Sequence, residues 1–320
     1  MTATIIKEAI PYSLSETNLN IGTKYRGKVR DTYDIGDKLV LVTTDRLSAF
    51  DRVLAEIPFK GQVLNLVSAW WFENTSHILP NHVVAIPDPN VTLAKKCQVF
   101  PVEFVIRGYI TGSTQTSLWK QYHDGVRQYC GNNLPEGLRK NEKLAKPMIT
   151  PTTKEAHDRP ISPAEIIQEG LMTEAEWTFA ANAALQLYEY GVEVAAKQGL
   201  ILVDTKYEIG KDADGNICLV DEIHTPDSSR YWLAESYEMR FAAHQEPESI
   251  DKEFLRLWFK DHCNPYEDAV LPKPPEALVV TLASRYIQLY EMITGSKFTF
   301  PSQLQNIEER IMRNVAGYLS

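Results

Sequence analysis

The chain is short of most features that mark the specialised protein classes. It has four cysteines in 320 residues, Cys97, Cys130, Cys218 and Cys263, and no two of them form a C-x-x-C pair. That sets aside the usual zinc and dithiol motifs and fits scattered thiols in a reducing compartment. No stretch approaches the roughly 20 apolar residues needed to span a bilayer. The N-terminus, "MTATIIKEAI", has no basic region ahead of an apolar one and does not read as a signal peptide. The expectation is a cytoplasmic protein, in which the Asn-x-Ser/Thr triplets at Asn74 and Asn90 are chance matches. Positive charge is in deficit. A net charge of −9 argues against a nucleic-acid or membrane-surface binder, yet leaves room for a basic patch that holds a small anion. The patterns G-x-x-x-x-G-K-[ST] and G-x-G-x-x-G are absent, which speaks against P-loop and Rossmann sites. The H-R-D and D-F-G signatures of protein kinases are missing too.

What is present fits a soluble globular chain of about two domains, with enough apolar residues to build a core without staples. Residues 21–60 read as strands and turns; "KLVLVTT" is a β-branched run preceded by the turn signal "DIGD". "VEFVIRGYITGST" reads as a strand running into a loop of small residues. Residues 134–162, rich in Pro, Lys and Thr, read as a long loop, and long loops in compact domains are often functional. "SPAE" from Ser162 and "TEAE" from Thr173 have the capping-box form that opens helices, with Pro163 at a first helical position. Trp177, Ala180, Ala181, Ala184, Leu185 and Tyr188 then recur at helical spacing, and Gly199 stands where a C-terminal cap belongs. Helices follow around 251–261, 276–294 and 302–318, with "PKPP" at 272–275 as a rigid connector. The expected architecture is α+β and two-lobed. A β-rich N-terminal lobe takes residues 1–105, and a larger α+β domain with C-terminal helices takes 106–320. A ligand cleft lies between the lobes.

Four stretches carry chemistry. The first is "EIGKDADGNICLVDEIHTPDSSR", residues 208–230. A two-residue turn at Asp214-Gly215 would pair Ile209 with Val220 and set Glu208 opposite Asp221. Two acids facing each other repel. Leu202, Val203, Leu219 and Val220 around them suggest a buried sheet, so the acids need a cation. Mg²⁺ prefers oxygen ligands, commonly one or two carboxylates plus phosphates, and Lys206 shares the face of Glu208. A metal–phosphate site is the sharper reading; two solvated acids on an exposed hairpin is the plainer one. The second stretch is "KYRGKVRDTYD", residues 24–34. If extended, it projects Lys24, Arg26, Lys28 and Arg30 from one face, with Gly27 permitting close approach. That suits a hairpin covering phosphates, as in kinase lobes, or a solvated edge strand. The third, "HTPDSSRYW", gathers Asp227, Ser228, Ser229 and Arg230. A guanidinium beside hydroxyls suits a phosphate or carboxylate, though Ser and Asp also serve plain turns. The fourth, "RGYITGST", repeats that combination with Arg107, Gly112, Ser113 and Thr114.

Together with "DRLSAFD" at 45–51 and "GLILVDTKYEIG", these stretches stand in an order that resembles the SAICAR synthetases of de novo purine synthesis. The resemblance covers nearly the whole chain and is to the longer form of the family. It implies a kinase- or ATP-grasp-like nucleotide cleft, and ATP and Mg²⁺ as cofactors. It also implies the joining of L-aspartate to the carboxylate of CAIR through an acyl phosphate, giving SAICAR, ADP and phosphate. By the resemblance, Glu208 and Asp221 are the Mg²⁺-binding acids, and Lys206 completes the catalytic set. Tyr25, Arg26, Gly27, Lys28, Val29 and Arg30 match the phosphate-covering hairpin, with Lys28 as a phosphate contact. Arg107, Gly112, Ser113, Asp227, Ser229 and Arg230 match positions that hold CAIR. Asp45, Ser48 and Asp51 belong near the substrate. Thr153, Lys154, His157 and Asp158 would close over it or take the aspartate. The partners are then small molecules, with no nucleic acid and no membrane. C-terminal helices covering a pairing surface lean toward a monomer. A small-molecule kinase would share the basic hairpin and the acids but would need no amine. A non-catalytic nucleotide-binding module would need neither the acids nor the Arg-Ser clusters.

Overall fold

The computed structural model describes residues 2–50, 52–155, 158–250 and 252–319. Two expected site residues, Asp51 and His157, lie outside the described residues. After helix α1 (Thr2–Ala9) comes a meander of β1 (Thr23–Arg26), β2 (Arg30–Asp34) and β3 (Lys38–Thr43). A separate antiparallel pair, β4 (Arg46–Ala49) and β5 (Arg52–Glu56), leads into α2 (Lys60–Thr75), then β6 (Val83–Asp88) and β7 (Val91–Lys95). The first sheet has the order β1-β2-β3-β7-β6. Helix α2 left no clear trace in the sequence because it is buried on nearly every side, Lys60, Gln62 and Asn65 included. A helix wrapped by protein shows no amphipathic period.

The second sheet opens with β8 (Gln98–Ile110), which runs across the expected lobe boundary at 105/106. Then come α3 (Leu118–His123), the short pair β9 (Gln128–Tyr129) and β10 (Asn132–Asn133), β11 (Glu142–Ile149) and β12 (Thr152–Thr153). Residues 134–162 are therefore not all loop, since β11 and β12 both pair with β8. The Lys and Pro content that suggested a loop belongs to an edge strand with a register shift around Pro147. The capping boxes at Ser162/Glu165 and Thr173/Glu176 open α4 (Pro163–Gln168) and α5 (Glu174–Lys197). The remaining strands are β13 (Leu200–Lys211), β14 (Ile217–Val220) and β15 (Ser229–Leu233). They complete the order β11-β8-β13-β14, with β15 on β13. Helices α6 (Ala234–Ala242), α7 (Glu253–His262), α8 (Glu276–Thr294) and α9 (Ile307–Val315) finish the chain.

Alternation along β8 and β13 decides where the site lies. Val102, Phe104, Ile106, Tyr207 and Ile209 are buried in the main core, where Phe104 stacks on Trp177 of α5 at 5.2 Å. The residues between them, Glu103, Val105, Lys206 and Glu208, face the other way and are half-buried. An extra residue in β13 at Val203 shifts its register against β15, and Asp204 takes its place in that second row. The C-terminus returns to the first sheet. Ile311 and Val315 of α9 pack with Tyr33, Val40 and Leu93, and Arg310 grips Asp88 through two 2.9 Å bonds. Helix α9 thus packs with the first sheet although it lies at the other end of the chain.

Candidate active site

The open face of the second sheet carries an alternating charge row on β13: Asp204, Lys206, Glu208. Register explains its partners. Asp204 lies opposite Arg107 of β8 on one side and Arg230 of β15 on the other. It accepts from Arg230 at 2.5 Å and pairs with Arg107 at 3.6 Å. Two guanidiniums share one carboxylate at this end of the cleft. Hydroxyls gather there as well. Thr150 Oγ1 holds Arg107 Nε at 2.8 Å, and Ser229 Oγ bonds Thr205 Oγ1 at 2.8 Å. Gly112 lies close by, since a Cβ built on it would sit 3.2 Å from Arg230 Nη2. A cleft of ≈ 220 Å³ opens in front of this face.

The acid end differs from expectation. The β13–β14 turn is one residue longer than Asp214-Gly215 alone requires. Asp212 and Asn216 close it, Gly215 N donates to Asp212 O at 3.0 Å, and Gly215 has φ +83. This is a three-residue loop with a glycine bulge. The Asp212 carboxylate favours it by accepting from Asp214 N and Asn216 N. The register moves by one: Glu208 faces Val220, and Ile209 faces Leu219. Asp221 therefore lies just past the strand, at φ 67. The acid directly opposite Glu208 is Glu103 of β8.

Cations compensate the crowding. Lys206 bonds Glu103 at 2.7 Å and lies 3.6 Å from Glu208, and Lys154 reaches Glu208 at 2.5 Å. Arg30 pairs with Asp221 and, at 3.2 Å, with Glu222. Burial works against the Lys206 charge, but Glu103, Glu208 and Asp221 outweigh it and hold the ammonium protonated above its ordinary range. Burial and the nearby Asp221 push the Glu208 carboxyl up. Asp221 is pulled down, because Arg30, Lys206 and Lys154 overcome its burial. Among the described residues no group of three metal-binding side chains occurs. Two oxygen donors, Glu208 and Asp221, still fit a magnesium ion that takes its other ligands from phosphates and water.

The basic stretch at 24–34 does not present four cations on one face. The chain reverses at Lys28-Val29, with Arg26 opposite Asp31 and Gly27 N donating to Arg30 O at 2.8 Å. Lys24 and Arg26 turn to Glu16 and the buried Asp31, while Arg30 turns to the acids of the second sheet. Tyr25 shares Arg30's side of the hairpin and is exposed.

Other expected residues are more scattered. Ser113 lies 3.4 Å from Lys260 Nζ. Asp227 borders the cleft but is tied to buried Lys60 at 2.7 Å and to the Tyr286 hydroxyl at 2.8 Å. Thr153 is buried and bonds Arg159 N, and Asp158 borders the cleft. Ser48 is half-buried in β4 opposite Val53. Asp45 is not brought to the cleft, because its oxygens accept from Leu14 N and Gly61 N inside the fold. Sequence reasoning passed over Glu103 and Asp204, which period-two counting from Glu208 and Arg107 would have found. It also passed over Lys252 and Arg256, which border the cleft one helical turn apart at the start of α7. Only the tertiary fold reveals those two.

The family model of SAICAR synthetase matches residues 23–273. The chain belongs to the SAICAR synthetase family. Members are ATP-dependent ligases that join L-aspartate to the carboxylate of CAIR in purine biosynthesis. A phosphoribosylaminoimidazole-succinocarboxamide synthase of Legionella pneumophila (strain Lens) is 65% identical over 311 residues, covering 97% of this chain and 100% of that one. The fold is similar to that of the Saccharomyces cerevisiae SAICAR synthase complexed with SAICAR. The TM-score is 0.77 at 34% identity, over 90% of this chain and 100% of that one. It is also similar to a SAICAR synthetase (Type-2) in complex with ADP, with a TM-score of 0.66 at 26% identity, over 87% of this chain and 100% of that one.

Proposed function

We propose that the charge row Asp204–Lys206–Glu208 is the axis of the ligase site, with CAIR lying along it. The observation that carries this reading is the separation of two unlike ends on one strand. Four residues of strand span roughly 13 Å, a distance that a phosphorylated ribose bearing an imidazole can bridge. Arg107 and Arg230 take the phosphate end, where the two guanidiniums converge on a single carboxylate, Asp204. The carboxylate of CAIR then points toward Lys206 and Glu208. Lys206 is held charged, so it acts by attracting the carboxylate and steadying the transferring phosphoryl group, not as a base. Glu208 and Asp221 would hold Mg²⁺, which supplies charge neutralisation for the phosphates of ATP. The β1–β2 hairpin lies over that end through Arg30. Phosphorylation converts the carboxylate, a poor electrophile, into an acyl phosphate; the aspartate amine attacks it, and phosphate leaves. Lys154 is placed to close over this centre, since it already reaches Glu208. A cytoplasmic monomer remains part of the proposal. It rests on the sequence and on α8 packing against α1 and α2, and sedimentation checks the monomer.

The test is ADP release with ATP and Mg²⁺, run with CAIR alone, aspartate alone, and both. Release that requires both, matched by SAICAR, supports the ligase reading. Full release with CAIR alone points to a kinase. Arg230→Ala should raise the KM for CAIR roughly tenfold or more and that for ATP far less; the reverse would move Arg230 to the nucleotide.

A further inference from the structure

Arg46 is 1% exposed, on β4, and touches neither the cleft nor the acids. Its guanidinium spreads over the back of the β1–β2 turn. Nε donates to Lys28 O at 3.2 Å, Nη2 to Gly27 O at 3.0 Å and to Asp31 Oδ1 at 2.8 Å, and Nη1 to Ser15 O at 2.5 Å. The next carbonyl, Val29 O, is held by Thr44 N at 3.0 Å and Thr44 Oγ1 at 2.8 Å. Three successive carbonyls of the turn are thus drawn toward Thr44 and Arg46. A trans peptide is planar, with its N–H opposed to its C=O. Holding Gly27 O and Lys28 O inward therefore aims the N–H groups of Lys28 and Val29 outward, away from the lobe. Successive backbone N–H groups aimed one way form an anion-binding concavity.

We propose that Arg46 is a positioning residue for nucleotide phosphates: it holds the Gly27–Val29 turn by its carbonyls so that the turn's N–H groups meet the phosphates of ATP. The inference rests on the nucleotide reading of this hairpin. Arginine is required by shape. Its planar fork reaches two turn carbonyls, Ser15 O and the Asp31 carboxylate at once, whereas a lysine ammonium is a single point that cannot span them.

The experiment compares the wild-type chain with Arg46→Lys and Thr44→Val, measuring Mg-ADP and CAIR binding by calorimetry beside a thermal melt. Arg46→Lys should melt cooperatively and lose roughly tenfold to a hundredfold in ADP affinity. CAIR affinity should stay within about threefold, and the KM for ATP should rise more than that for CAIR or aspartate. Thr44→Val, which removes only one donor to Val29 O, should weaken ADP in the same direction by a few-fold. A folded Arg46→Lys that binds ADP like wild type overturns the proposal. So does a parallel loss of ADP and CAIR affinity, which would mark a merely structural role. If Arg46→Lys does not melt cooperatively, Thr44→Val decides: selective weakening of ADP supports the proposal and unchanged affinity overturns it. A wild-type chain that binds CAIR but no Mg-ADP would sink the nucleotide reading itself.

Discussion

The two hairpins that meet through Arg30 and Asp221 are built in opposite ways. The β13–β14 turn is made by its own residues. The Asp212 carboxylate caps two N–H groups within the loop, and Gly215 supplies the left-handed backbone. The β1–β2 turn is made largely by residues from elsewhere. Its Gly27 has no left-handed backbone, and a Cβ there would sit 3.1 Å from Arg30 O, so that glycine serves close approach within the hairpin itself. The turn's position is set by Thr44 and Arg46, about 15 residues on, and by Arg30 pairing with Asp221 of the second sheet. A locally encoded turn announces itself in a sequence. A turn held by distant partners shows only its charge, and the charge says little about direction.

The largest expected effect tests what the locally encoded hairpin delivers. Asp221→Asn should lower kcat roughly a hundredfold to a thousandfold. The melt should stay cooperative, because Asn also tolerates the left-handed backbone at φ 67. Wild-type turnover would reduce the β13–β14 hairpin to a structural element and overturn the proposed metal role of Asp221.

The next test concerns the segment that holds the other hairpin. Asp45 lies between Thr44 and Arg46, is 2% exposed, and accepts from Leu14 N at 2.7 Å and Gly61 N at 2.8 Å. Burial pushes its carboxyl up from 3.8 to about 6, against the pull of those two bonds. A folded-state value raised above the unfolded one stabilises at low pH, and that stabilisation is lost as pH rises through about 6. Asp45→Asn has no charge to bury. Its stability relative to wild type should therefore climb between about pH 4 and pH 6, by up to roughly 3 kcal/mol. Denaturant melts across that range would show it. A difference that does not vary with pH would mean that Asp45 ionises as an ordinary carboxylate and that the segment is held by other means.

Legibility followed the same division. The capping boxes at Ser162 and Thr173, the spacing of α5 and the C-terminal helices were readable because each is a local signal. Helix α2 was not, since burial on every side erased its pattern. Strand β11 was masked by the Lys and Pro that suit an edge. Within the site, Glu208 and Lys206 could be placed on one face from period two alone. The facing of Glu208 and Asp221 could not, because one bulge residue moves the whole ladder, and the acid truly opposite comes from β8, about a hundred residues earlier. Arg46 had the least signal of all, being an arginine that bonds three backbone carbonyls and one buried acid.

The smallest expected effect is the one that sharpens the comparison most. Gly215→Ala places a Cβ with nothing within 4 Å, so its cost comes only from the backbone at φ +83. That cost is about 1 kcal/mol, visible as a lower denaturant midpoint. The KM values for ATP and CAIR should not move, because the turn lies beyond the ladder that fixes Glu208. The alternative is informative. An alanine disfavours every left-handed turn at this position, so the loop can escape only to a type I turn closed by Ala213 and Asn216, and a slip of one residue exchanges the faces of a strand. Asp221 would then be drawn into the ladder opposite Glu208 and away from Arg30, and turnover would collapse along with stability. A small stability loss with intact kinetics therefore means that the glycine bulge only eases the turn, while pairing of β13 with β8 and β15 holds the register. A joint collapse means that one glycine sets where Asp221 stands.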